Sequence, residues 1–206
     1  NLGTAGFTAA LALLRMQDNR QSPELGPLAV TGATGGVGSL AIAIFAKAGY
    51  EVHAISGKAD QADYLKSLGA NEVLGRDALS TTRPMDNARF GGGLDNVGGP
   101  MLAALLAQTA PYGNVASAGL AASHELHATV MPFIIRGVSL LGVASAGPAR
   151  DLRDAVWRRL SSDWKPACLD AICTRETALD GLPGVFGTML AGGSLGRTVV
   201  RLAEST

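Results

Sequence analysis

The stretch that decides the fold is LAVTGATGGVGSL, residues 28–40. Its first part, residues 28–32, is an apolar run that predicts a buried strand, and residues 36–48 carry an apolar pattern that predicts a helix. A glycine-rich turn between a strand and a helix offers backbone N–H groups and the positive end of the helix dipole to an anion. The stretch therefore predicts a turn that binds the pyrophosphate of a dinucleotide.

Each glycine of this turn has a physical role in such a site. Gly32 permits the tight turn, Gly35 and Gly36 let the backbone approach the pyrophosphate, and Gly38 allows the helix to pack closely on the strand. A turn that serves packing alone is the alternative, and the alternating strands and helices around it make that alternative the weaker one.

Outward from this turn, short apolar runs alternate with helical patterns, which is typical of an α/β fold. A leading helix is predicted at 4–17, and three further helices at 36–48, 60–68 and 100–108. The predicted strands are 28–32, 51–56, 72–74, 94–98, 114–119 and 138–143, with Gly91, Gly92 and Gly93 in the loop before the fourth. Six such strands predict a doubly wound, Rossmann-type parallel sheet with strand order 3-2-1-4-5-6.

The last quarter of the chain has a different pattern. An amphipathic helix is predicted at 149–164, a second helix at 182–191 and a strand at 197–202. This tail has too little apolar surface for a core of its own. We therefore expect a sheet domain over residues 1–148 and a tail over 149–206 that leans on it or on a partner.

The end of the second predicted strand indicates which dinucleotide the site takes. NAD enzymes place an Asp or Glu there to accept hydrogen bonds from the ribose hydroxyl. This chain has Ser56, Gly57 and Lys58 instead, and Arg76 follows the third strand. A hydroxyl and cations without a carboxylate suit a 2′-phosphate, so the predicted cofactor is NADPH. Taken singly, Lys58 and Arg76 also fit solvated surface charges.

Composition excludes several classes of function. The chain has 206 residues with 17 basic and 17 acidic side chains, so it shows no charge excess for binding nucleic acid or an anionic membrane. Two uncharged stretches, Leu25 to Phe45 and Val97 to Ser123, contain prolines and glycines that disfavour a membrane span. The two cysteines suggest neither a disulfide framework nor a zinc site, which favours a reduced, cytoplasmic setting.

The sequence disfavours two other enzyme classes and a metal site. Short-chain dehydrogenases share a similar glycine turn, but no tyrosine of this chain has a lysine four residues later. A P-loop requires a lysine followed by Ser or Thr after the glycines, and none is present. His124 and His127 fit hydrogen-bonded surface residues better than metal ligands, since Glu125 is the only obvious further donor.

Motifs along nearly the whole chain resemble one known family. They are GTAGFTAA (3–10), TGATGGVGS (31–39), SGK (56–58) with YLKSLGA (64–70), DNVG (95–98), TVMPFIIRGVSLLGV (129–143) and GRTVVRL (196–202). The family is the medium-chain dehydrogenase/reductases without zinc, in its acrylyl-CoA reductase and quinone oxidoreductase branch.

The resemblance implies NADPH-dependent reduction of an activated C=C bond, such as that of an acrylyl thioester, or of a quinone, by hydride transfer. It implies that Gly36, Val37 and Gly38 contact the pyrophosphate, and that Ser56, Lys58 and Arg76 hold the 2′-phosphate. It places Gly119 and Leu120 beside the ribose and nicotinamide, and Arg197 near the cofactor or the thioester carrier. No catalytic proton donor is assigned.

Two departures from the family limit these expectations. Relatives commonly carry an Asp after the sixth strand, where this chain has Ala144. The family also begins with a GroES-like catalytic domain, which the tail normally joins. We therefore expect a cofactor-binding portion with feeble activity in isolation, whose tail pairs with that domain or with a second copy in a homodimer. A non-catalytic NADPH-binding module is the alternative.

Overall fold

The structure is a computed structural model that describes residues 1–202. Its centre is a parallel sheet of six strands in the order β3-β2-β1-β4-β5-β6, which confirms the predicted Rossmann-type order. The strands are β1 Leu28–Thr31, β2 Val52–Ile55, β3 Glu72–Leu74, β4 Phe90–Asp95, β5 Thr109–Ser117 and β6 Ser139–Gly142.

Helices cover both faces of this sheet, and the last part of the described chain forms a second, two-stranded parallel sheet. The helices are α1 Gly3–Asp18, α2 Gly36–Lys47, α3 Ala62–Ser67, α4 Gly99–Ala107, α5 Met131–Arg136, α6 Arg150–Ser161, α7 Leu169–Ile172 and α8 Leu182–Leu190. The second sheet pairs β7 Cys173–Ala178 with β8 Arg197–Arg201.

Strand β1 lies between β2 and β4, and all four of its residues are buried. Two apolar clusters flank the sheet. One joins α1 and α2 to the strands, and the other joins α4 to Phe90 and Ile55. Because the strands are parallel, their carboxyl ends meet along one edge, and the glycine turn starts there directly after β1.

The prediction for the fourth strand was wrong by about four residues. Its glycines belong to β4, which ends at Asp95, and are not in a loop. A Cβ on Gly93 would lie 2.5 Å from the carbonyl oxygen of Ala29, and one on Gly91 would lie 2.6 Å from that of Gly26. The backbone of β4 lies too close to the neighbouring backbone to leave room for side chains at these positions. The strand was misplaced because glycines do not contribute to a pattern of apolar residues.

Several shorter elements also differ from the predictions. Strand β5 begins at Thr109, five residues before the predicted start, and α6 ends at Ser161. Helices α5 and α7 and strand β7 were not predicted. These are short pieces of four to six residues, whose apolar patterns are too brief to show a period.

The first part of the tail packs into the main core. Val156, Leu160, Trp164 and Ile172 are buried in the cluster that contains α1 and α2. The outer part is exposed, with Leu190 at 90% of its full accessibility. The boundary at residue 148 stays a prediction, and Ala203 to Thr206, predicted as the end of the tail, lie outside the described residues.

Across residues 1–202, none of the helices is both long and apolar enough to span a membrane.

Candidate functional site

A cleft of about 1090 Å³ lies at the carboxyl ends of the central strands. Its walls come from the loops after β1, β2, β3, β4 and β5, so it sits where the strand order reverses between β1 and β4. Ten residues singled out from the sequence line it. They are Gly35, Gly36, Val37, Gly38, Ser56, Gly57, Lys58, Arg76, Gly119 and Leu120.

The glycine turn forms the floor of the cleft. Gly32 has a φ of +59°, and the N–H of Gly35 donates to its carbonyl at 2.9 Å. A Cβ on Gly38 would stand 2.4 Å from that same carbonyl oxygen, so only glycine fits there. Helix α2 starts at Gly36, and the N-cap Gly35 makes no side-chain hydrogen bond to its first turn. The N–H groups at the start of α2 are thus available to an anion in the cleft.

The corner after β2 brings together the predicted phosphate ligands. The Ser56 hydroxyl accepts from the backbone N–H of Lys58 at 3.0 Å, which leaves its own proton free to donate. A Cβ on Gly57 would come within 2.6 Å of Arg76 Nε, so the guanidinium lies directly against the backbone of the corner. The Lys58 ammonium is also held here, where it donates to the Ser194 carbonyl at 2.5 Å.

Arg197 stands beside the cleft and is not among its lining residues. A Cβ on Gly36 would be 3.0 Å from Arg197 Cδ, and one on Gly3 would be 3.6 Å from a terminal guanidinium nitrogen. The guanidinium therefore lies at the rim, between the glycine turn and the start of α1. A phosphate at the amino end of α2 would lie next to it.

The cleft is electrostatically one-sided. Within the described chain, its lining includes two basic side chains, Lys58 and Arg76, and no acidic one. Together with the start of α2, these cations favour a ligand with more than one phosphate.

A buried network that sequence reasoning missed joins β1 to β4 beneath the cleft. Asp95 is fully buried, accepts from the Thr31 hydroxyl at 2.8 Å and from the Gly98 N–H at 2.7 Å, and its pKa is raised by burial. Asn96 donates to the Thr31 carbonyl at 2.8 Å. The available signal was that Asp95 falls inside a predicted strand, since a buried Asp requires hydrogen-bond partners.

The turn between α8 and β8 was also missed as part of the site. Gly192 and Ser194 line the cleft, and the Gly196 N–H donates to the Thr34 carbonyl of the glycine turn at 2.9 Å. The residues GGSLG (192–196) are typical of a turn, but nothing in their pattern indicates that this turn lies at the cleft.

The structure assigns no proton donor. The side chains of Tyr112 and His124 do not line the cleft, and Tyr112 is 76% exposed. The ring of His127 pairs with Glu125 at 3.1 Å on the surface. In the part of the chain that the structure describes, no three His, Cys, Asp or Glu side chains are grouped to hold a metal.

Sequence comparison matches this chain to a family model and to individual proteins. The family model described as "Zinc-binding dehydrogenase" matches residues 36–162. The Bacillus subtilis protein named "Putative quinone oxidoreductase YhfP" is 47% identical over 97% of this chain and 61% of its own length. The Ruegeria pomeroyi protein named "Acrylyl-CoA reductase AcuI" is 45% identical, again over 97% of this chain and 61% of its length.

Solved structures agree with these matches. Escherichia coli K-12 YhdH with bound NADPH superimposes with a TM-score of 0.94 at 41% identity, over 98% of this chain and 62% of that one. YhfP with bound NAD gives a TM-score of 0.93 at 46% identity, over 97% of this chain and 61% of that one. This chain spans about three fifths of the length of these relatives. It belongs to the zinc-binding dehydrogenase family and resembles the acrylyl-CoA reductase and quinone oxidoreductase branch.

Proposed function

We propose that the cleft binds NADPH and that the chain is the cofactor-binding part of an oxidoreductase. The observation that carries this proposal is the corner after β2, where Ser56, Lys58 and Arg76 meet in the same cleft as the glycine turn. A hydroxyl and two cations suit the 2′-phosphate that distinguishes NADPH from NADH.

The cleft fits this cofactor in shape as well as charge. Side chains at Gly36 and Gly57 would occupy space against Arg197 and Arg76, so each glycine leaves a cradle beside a guanidinium. In the proposed complex, the N–H groups of Gly36 and Val37 and the charge of Arg197 bind the pyrophosphate. Ser56, Gly57, Lys58 and Arg76 surround the 2′-phosphate.

The opposite end of the cleft is where we place the ribose and nicotinamide. Gly119 and Leu120 lie there, and a Cβ on Gly119 would be 2.5 Å from the Asn96 carbonyl oxygen. This contact leaves no room for a side chain at position 119, so backbone lines this part of the cleft. A bound cofactor would supply a hydride, and Gly119 and Leu120 would hold its nicotinamide end.

We further propose that the hydride goes to an activated C=C bond, as in an enoyl thioester such as acrylyl-CoA, or to a quinone. The names of YhfP and AcuI support these two substrate classes. YhfP was solved with NAD and YhdH with NADPH, so the branch does not by itself decide the cofactor. The corner after β2 is therefore the feature to test.

Titration of NADPH and of NADH against cofactor fluorescence tests the binding step. We expect the chain to prefer NADPH, and Ser56→Glu to abolish the preference because the new carboxylate repels the 2′-phosphate. Ser67→Glu adds the same charge on exposed α3 and should leave both affinities unchanged. Equal, weak binding of both cofactors by the unaltered chain would refute the proposal.

Oxidation of NADPH in the presence of acrylyl-CoA or of a quinone tests the catalytic step. The assay uses this chain alone and this chain joined to the part of YhfP that it does not span. We expect feeble turnover by the first and measurable turnover by the second. Binding of NADPH without turnover by either would favour a non-catalytic NADPH-binding module.

The outer tail carries an exposed apolar surface. Phe186, Met189, Leu190 and Leu202 are exposed apolar side chains, which a further domain or a second copy of the chain would cover. A homodimer predicts twice the monomer mass in sedimentation. Cys168 and Cys173 are free in the structure. A reduced, cytoplasmic setting stays part of the proposal.

A further inference from the structure

The turn from α8 to β8 forms a strap, defined here as residues 192–196, that lies along the edge of the cleft. Three hydrogen bonds hold it. Lys58 Nζ donates to the Ser194 carbonyl at 2.5 Å, the Gly196 N–H donates to the Thr34 carbonyl at 2.9 Å, and the Thr174 hydroxyl of β7 donates to the Leu195 carbonyl at 2.5 Å.

The hydrogen bond from Lys58 to the Ser194 carbonyl fixes the position of the lysine ammonium group. A lysine ammonium has three donors, so one bond to Ser194 leaves two for another acceptor. Lys58 and Ser194 both line the cleft, next to Ser56. A free lysine side chain would lose rotamer freedom on binding a phosphate, and the carbonyl of the strap removes part of that cost in advance.

Given the proposed function on which this step rests, we infer that the strap is a specificity-determining element of the cofactor site. It favours NADPH over NADH because the Ser194 carbonyl holds the Lys58 ammonium where the 2′-phosphate docks.

The strap makes two kinds of contact, which have different consequences. The Gly196 bond to Thr34 and the neighbouring Arg197 act at the glycine turn. The proposed ligand of that turn is the pyrophosphate, which NADPH and NADH share. The Lys58 contact acts at the corner after β2, where the cofactors differ. An effect on the preference, as opposed to an equal effect on both affinities, therefore identifies the Lys58 contact.

The test loosens the strap from its far side. Thr174→Val removes the hydroxyl that bonds to Leu195 and keeps the β-branched shape. Thr177→Val is the matched control, because Thr177 lies in the same strand and its hydroxyl bonds to Ala178, outside the strap. Dissociation constants come from cofactor fluorescence. We expect Thr174→Val to weaken NADPH about fivefold and NADH less than twofold, and Thr177→Val to change neither.

Two further variants make the inference sharper. Thr174→Ser keeps the hydroxyl and should keep the preference of the unaltered chain. In a Lys58→Met background the preference should be largely lost, and adding Thr174→Val should then have no further effect on it.

Three outcomes would overturn the inference. One is equal weakening of both cofactors by Thr174→Val, which marks a general support. Another is that Thr174→Val lowers the preference in the Lys58→Met background as much as it does in the unaltered chain, which shows that the strap does not act through Lys58. The third is an unchanged preference in Thr174→Val. If the unaltered chain shows no preference at all, the proposed function fails with it.

Discussion

Glycines serve different purposes in the glycine turn and in the outer tail. In the turn, a Cβ on Gly38 would lie within 3 Å of three backbone atoms. In α8, positions Gly184 and Gly187 have nothing within 4 Å of an added Cβ. Glycine is thus required in the turn, where a side chain would clash with the backbone, and only tolerated in α8, where a side chain would fit. Glycine content alone does not mark a site, whereas glycine between a strand and a helix does.

The largest effect should come from making one substitution in both regions. Gly38→Ala forces a methyl group into the carbonyl of Gly32 and should destabilise the fold by about 3 kcal/mol and abolish cofactor binding. Gly187→Ala lies in an exposed part of α8 and should stabilise by about 0.5 kcal/mol, because alanine is the better helix former. Urea unfolding of both variants measures the difference. Equal changes in the two would contradict the comparison.

The centre of the site was predictable because its signals are contiguous. Strand β1, the glycines and the start of α2 occupy adjacent positions, and Ser56 to Lys58 follow directly at the end of β2. Each of these patterns can be recognised from consecutive residues. The parallel order of the strands then brings these separate segments together at one edge of the sheet.

The remainder was not predictable because it depends on distant contacts. Lys58 and Ser194 are 136 residues apart, and neither carries a pattern that pairs it with the other. Strand β4 was misplaced because Gly91 to Gly93 look like a loop until their neighbours are known. Close approach of backbone to backbone leaves no trace in apolar periodicity.

A second pair of variants tests which part of the tail belongs to the core. Ile172 is fully buried against the main cluster, whereas Phe186 is 52% exposed. Ile172→Ala should destabilise by about 3 kcal/mol, since it leaves a cavity. Phe186→Ala should cost less than about 1 kcal/mol. Thermal unfolding checks both values, and a larger loss in Phe186→Ala would show that the outer tail contributes to the core.

A third pair separates the two arginines of the site. Arg76 lies against the corner after β2, and Arg197 lies against the glycine turn. Arg76→Met should weaken NADPH about tenfold and leave NADH nearly unchanged. Arg197→Met should weaken both by a similar factor, since both carry the pyrophosphate. The same fluorescence titrations measure the four constants, and the assignment fails if Arg197→Met alters the preference or if Arg76→Met does not.

The smallest expected effect is a pH dependence of stability that has opposite signs in the two regions. Burial raises the pKa of Asp95 beneath the glycine turn, whereas the hydrogen bond from Arg159 lowers the pKa of Asp163 in the tail. A carboxyl group with a raised pKa keeps its proton longer in the folded chain than in the unfolded one. Its contribution to stability therefore falls as pH rises from the unfolded pKa, about 4, through the folded pKa. For Asp163 the contribution is present above the unfolded pKa and is lost as pH falls through the folded one.

Urea unfolding of Asp95→Asn and Asp163→Asn, each against the unaltered chain between about pH 3 and 7, isolates the two titrations, because asparagine does not ionise. With rising pH, the unaltered chain should lose stability relative to Asp95→Asn and gain stability relative to Asp163→Asn. The second slope should be shallow and should diminish with added salt, because the Arg159 pair is exposed to solvent. The first should resist salt, since Asp95 is buried beneath the cleft. Slopes of the same sign would mean that the hydrogen bonds from Thr31 and Gly98 outweigh burial at Asp95, and the network under the cleft would then favour a charged carboxylate.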